Sequence, residues 1–118
     1  MTYARWRSAF AAALDPRLYP IDHLDTLVRK GRAQLWASDR SALVTELRPF
    51  PSGAWAIHTL VAAGDMAEIV GELRPQAEAW ARGLGCTLSI VESREGWARA
   101  LKPHGYAPFQ VSLIKSLS

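Results

Sequence analysis

The feature that most constrains this chain is a change of period near its end. Gly85-Cys86-Thr87-Leu88-Ser89-Ile90-Val91 alternates as a strand does. Ser93-Arg94-Glu95-Gly96-Trp97-Ala98-Arg99-Ala100-Leu101 then repeats as an amphipathic helix does, and Gly105-Tyr106 follows. A glycine just past a helix suits a left-handed C-terminal stop. Strand, helix, glycine and then the apolar segment Phe109 to Leu113 place a crossover helix between two strands. The chain therefore belongs with sheet proteins that bury helices on their faces.

Upstream, Trp6, Phe10 and Leu14 lie at i, i+4 and i+8 and predict a helix over 4–14, ended by Asp15-Pro16. Pro20 and Asp22 open a second helix with Leu24, Leu27 and Val28 on one face, stopped at Gly31. Ala33 to Ala37 and Ala42 to Leu47 flank the turn former Ser38-Asp39-Arg40 and predict a hairpin. A second turn falls at 49–53. Beyond it Trp55, Ile57, Thr59 and Val61 alternate with Ala56, His58, Leu60 and Ala62, as in a strand covered on both faces. From Asp65 the stripe Met66, Ile69, Leu73, Ala77, Trp80 and Leu84 predicts a long core-facing helix. Pro75 lies inside it, where its ring presses on the carbonyl of Gly71, so a kink or two consecutive helices are expected.

At 118 residues with 49% apolar composition, the chain is expected to form a single domain over 1–118 with a core of its own. No apolar run reaches the roughly 20 residues of a membrane helix, and the N-terminus lacks a secretory pattern, so the reading places the protein in a cytoplasm and off membranes. The single cysteine, Cys86, excludes an internal disulfide and any multi-cysteine metal site. No histidine pair with carboxylate spacing suggests a metal, and no Gly-x-Ser-x-Gly elbow suggests hydrolysis. The net charge is +3, but the arginines are spread along the chain among eleven acids, so nucleic acid is not the expected partner. The five tryptophans fall on apolar stripes or strand faces and read as core, with an aromatic ligand pocket as the alternative.

The element order resembles that of the acetyl-CoA-dependent N-acetyltransferases of the GNAT superfamily. Ser93 to Tyr106 looks like their closing segment, where a helix ends in a Gly-aromatic pair. Gln34-Leu35-Trp36, Val44-Thr45-Glu46-Leu47, Trp80-Ala81, Gly85-Cys86 and Gly96-Trp97-x-Arg99-x-Leu101-x-x-x-Gly105-Tyr106 are similar to small GNAT-like proteins carried by tailed phages, prophages and gene transfer agents. The resemblance implies an α/β (α+β) fold with a mixed, mostly antiparallel twisted sheet of five to six strands and helices on both faces. It also implies a diverged acyl-CoA-dependent N-acyltransferase acting on a small amine or a protein acceptor. The alternative is a non-catalytic phage-type accessory or interaction protein that keeps the fold without cofactor. A homodimer through the last strand or the N-terminal helix is compatible with either.

Were acetyl-CoA bound, the resemblance would put its pyrophosphate on the amides of Ala62, Ala63 and Gly64, where the long helix begins. The chain departs from the family's Gln/Arg-x-x-Gly-x-Gly/Ala loop there: with Gly64 as first glycine, Val61 and Met66 fill the other two signature positions. Asp65-Met66-Ala67-Glu68 has the spacing of a capping box, and a carboxylate over those amides competes with a phosphate. A second departure is Leu101, which stands where active relatives often carry the tyrosine that protonates the leaving thiolate. His58, in the strand before the long helix, and Glu46, in the preceding strand, are the candidate catalytic bases; Glu92 is a further carboxylate at the end of the next strand.

Overall fold

The computed structural model describes residues 2–92 and 95–118. Helices α1 (Thr2–Ala13) and α2 (Ile21–Arg29) precede the strands β1 (Ala33–Ala37), β2 (Ser41–Pro49) and β3 (Trp55–Gly64). Then come α3 (Met66–Glu68), a π-helical stretch (Ile69–Leu73), α4 (Arg74–Gly83), β4 (Leu88–Val91), α5 (Glu95–Leu101) and a 3-10 turn (Lys102–His104). The strands form one mixed sheet in the order β1-β2-β3-β4, with antiparallel β1/β2 and β2/β3 and parallel β3/β4.

Alternation along β2 builds a core on each face. Ala42 and Val44 point to one side, with Phe10 of α1, Leu24 of α2 and Val61 of β3. Leu43 points to the other, with Ile57, Ile69, Leu73, Ala77 and Ala81. Helices thus cover both faces, as the pattern predicts. The strand count is lower than expected: the described residues form four strands, not five or six, because the segment Phe109 to Leu113 pairs with nothing and lies exposed.

Pro75 has a definite structural consequence. An α-helix would direct its missing N–H to Gly71, so the chain inserts the π stretch just before it, and the Arg74 N–H donates to the Ile69 carbonyl five residues back. The Val70 carbonyl left over is met by the Arg74 side chain, whose Nε donates to it at 2.8 Å. The extra residue also redraws the buried stripe. It runs through Ile69, Leu73, Ala77 and Ala81, while Met66 and Leu84, expected in the core, are exposed. Trp80 sits at the edge of that face with its ring edge-on to Trp36 (centroids 5.7 Å apart). Trp80 and Trp55 are both substantially exposed, so the reading of every tryptophan as core is corrected for these two.

Candidate functional site

The β2/β3 ladder carries an irregularity at one place. Val44 pairs with Val61 and Thr45 with Thr59, which leaves Leu60 as an extra residue on β3. A bulge bends the strand that carries it and strengthens the local twist. The bend comes where β3 and β4 part company. Their parallel pairing ends at Thr59 with Val91, whereas β3 stays paired to β2 as far as Gly64. From Leu60 to Gly64 no described residue of the β4 side pairs with the edge of β3, and that edge borders an open cleft of about 380 Å³. Ala9, Ala12 and Ala13 of α1 form one wall, residues 59–63 the strand edge, and Val91, Glu92 and Trp97 the remainder. Small side chains keep the gap open, and Trp97 lines it.

A polar cluster sits at the root of this cleft. Glu46 and His58 are direct cross-strand partners, and Arg48 lies two residues along β2 on the same face. His58 is buried, at 3% exposure. Its Nδ1 lies 3.0 Å from Glu46 Oε2 and 2.8 Å from Arg48 Nη2. Its Nε2 lies 2.7 Å from Glu92 Oε1, without the alignment of a hydrogen bond. Arg48 spans both carboxylates, at 3.3 Å from Glu46 and 3.7 Å from Glu92. Of the sequence-derived candidates, His58, Glu46 and Glu92 are thus brought together. Glu92 lines the cleft, His58 stands directly behind it, and Glu46 is on the far side of the imidazole. Arg48 was not singled out from the sequence, although its two-residue spacing from Glu46 is the signal that would have found it. No group of three or more His, Cys, Asp or Glu side chains among the described residues has metal-ligating geometry.

The helix start is arranged differently from the cluster. Asp65 caps it, accepting from the Glu68 N–H at 3.3 Å, and its other oxygen is 3.5 Å from Arg40 Nη1. The expected reciprocal half of the capping box is absent, because the Asp65 N–H already donates to the Arg40 carbonyl. Glu68 turns inward instead. It accepts from Ser38 and Ser41 and from Arg40 Nη2 at 2.9 Å, clasping the β1/β2 turn to the helix. The two serine hydroxyls, joined by Arg40, hold its carboxyl down at about 2. Gly64 has φ +101°, and a Cβ there would lie 2.3 Å from the Arg40 carbonyl oxygen. Its glycine is demanded by the neighbouring strand. Ala62 and Ala63 line the cleft as part of the strand edge.

Tyr106 belongs to another network on the α4 face. Its hydroxyl lies 2.5 Å from Ser89 Oγ and donates to Glu78, and burial followed by the Glu78 contact pushes it up to about 12. Among the described residues no tyrosine lines the cleft.

Comparison with solved structures places this architecture among acetyltransferases. A putative acetyl transferase from Pyrococcus furiosus aligns with a TM-score of 0.71 at 12% identity, over 97% of this chain and 90% of its own. The ribosomal-protein-alanine N-acetyltransferase from Brucella melitensis biovar Abortus 2308 gives 0.65 at 14%, over 97% and 91%. Glucosamine-6-phosphate N-acetyltransferase from Arabidopsis thaliana gives 0.64 at 10%, over 100% and 95%. The fold is therefore the GNAT fold, and at these identities the likeness establishes the fold alone. No family model and no curated protein matches the sequence.

Proposed function

We propose that the protein is an acyl-thioester-dependent N-acyltransferase whose grip on the nucleotide end of coenzyme A is reduced. The observation that carries this reading is the open cleft between β3 and β4 with His58, flanked by two carboxylates, at its root. The edge of β3 from Leu60 to Gly64 offers backbone N–H and C=O groups to an extended, amide-bearing ligand, and the alanines opposite leave room for one. The pantetheine arm of acetyl-CoA has that form. The thioester, when bound, supplies an activated acyl carbon to the amine. The helix start suits the pyrophosphate less well, since the Asp65 carboxylate already accepts from the Glu68 N–H there. A cytoplasm, where such thioesters are made, is the compartment this chemistry needs.

The side chains at the root have the arrangement proton removal requires. Glu92 faces the cleft and attracts an ammonium. The ammonium first gives one proton, through Glu92, to His58 Nε2, which lies 2.7 Å from that carboxylate; the free amine then forms the new N–C bond as the C–S bond breaks, and the second proton leaves nitrogen for water. An imidazolium at this place donates its Nδ1–H to Glu46 and has Glu92 beside Nε2, so two carboxylates balance its charge. The neutral ring that acts as base carries its hydrogen on Nδ1, donated to Glu46, which leaves the Nε2 lone pair on the Glu92 side to take a proton. The departing thiolate takes its proton from water, because Leu101 is buried and Tyr106 is held elsewhere.

The test is release of free thiol from acetyl-CoA in the presence of a panel of primary amines. Turnover is expected, falling by about 10²-fold or more in His58→Asn with the far-UV circular dichroism unchanged. Turnover indifferent to His58→Asn, or none with any amine, would refute the proposal. A second reading, a non-catalytic accessory protein of the kind carried by phages and gene transfer agents, is favoured by one observation, the Asp65 carboxylate capping the helix start. It predicts no turnover.

A further inference from the structure

We infer that the segment from Ala107 to Ser118 is a strand donated to a second copy of this chain, along the outer edge of β4. The segment carries an alternation that the single chain does not use. Phe109, Val111 and Leu113 are 88%, 86% and 93% exposed, separated by Gln110 and Ser112, and Ile114 and Leu117 follow, also exposed. Its backbone is equally unused: among the described residues the last backbone hydrogen bond runs from Gly105 N to the Lys102 carbonyl. A segment with alternating apolar residues at 109, 111 and 113 and open N–H and C=O groups can supply half of a β-ladder.

The other half is on the same molecule. The sheet order leaves β4 at the edge, paired on one side only, with Leu88 half exposed. Beside that edge runs a groove of about 370 Å³, lined by Cys86, Thr87, Leu88, Ser89 and Tyr106 and reaching Ala107, where the tail departs. Each copy thus presents a free edge and a free strand together, and the chain's own tail leaves its own edge open. A two-fold exchange between two copies satisfies both complements at once and leaves neither free for an open-ended fibre.

Sedimentation equilibrium of the full chain at micromolar concentrations tests the inference, paired with hydrogen exchange. The wild type is expected to be a dimer, with the amides of residues 109–114 protected and that protection lost on dilution. Val111→Glu with Leu113→Glu is expected to sediment as a monomer with unchanged far-UV circular dichroism, since the tail packs on nothing in the single chain. A monomeric wild type would overturn the inference, whether its tail is unprotected or protected at every dilution; the latter means the strand closes on its own sheet. A dimer that survives the double substitution would overturn it too.

Discussion

Glu68 shows what one buried carboxylate does for this fold. Two serine hydroxyls and the Arg40 guanidinium favour its charged form, so its folded value is about 2 against the ordinary 4.5. A carboxyl lowered on folding stabilises fully above its unfolded value, and that contribution disappears as the pH falls from about 4.5 towards 2. Urea melts over this interval are therefore expected to show stability falling with acid, and Glu68→Gln is expected to flatten the slope. An unchanged slope in the variant would show that the clasp on Ser38 and Ser41 contributes nothing. The sequence carried half of this. The capping spacing of Asp65 and Glu68 was visible, but the inward turn of Glu68 depends on serines about thirty positions earlier, which only the sheet brings near. His58 and Glu46 were legible as separate candidates because each sits on a strand, but that they face each other is set by the β2/β3 register. Glu92 was legible as a strand end able to face a cleft between splayed strands, while its approach to His58 depends on where β3 and β4 separate.

Among the elements, the junction from β3 into the long helical segment decides how the site is held. Gly64 has a backbone conformation that side chains rarely adopt, and its missing Cβ makes room for the Arg40 carbonyl. Gly64→Ala is expected to cost about 1–3 kcal/mol or more in thermal or chemical unfolding, because the obstacle is backbone and cannot rotate aside. Stability within experimental error of the wild type would show that this approach of β3 to β2 is not required. A loss of ligand binding in a Gly64 variant is thus first a folding effect. The helix beyond was legible in kind but not in phase: Pro75 announced an irregularity, and the π stretch that absorbs it moved the buried stripe onto Ala81. The Leu60 bulge had no signal in the sequence, since its neighbours keep alternating and only the pairing register reveals the added residue.

For the whole molecule, two helices before the sheet, a three-strand meander, a long helical segment and a crossover ending at Gly105 were enough to fix the GNAT arrangement. Local periodicity and turn residues specify each of those parts. The final strand was legible as an apolar alternation, but among the described residues it does not join the free edge of β4. The open cleft follows from the bulge and the early end of the β3/β4 pairing, both properties of the assembled sheet. The central claim is that this cleft receives a thioester and that His58 acts on what lies beside it. Calorimetric titration with acetyl-CoA tests it most directly, on the wild type, on Ala12→Trp, which fills the mouth from an exposed position on α1, and on His58→Asn. Saturable heat in the wild type and in His58→Asn, abolished in Ala12→Trp, is the predicted result. No heat from the wild type, or the same heat from Ala12→Trp, would contradict it.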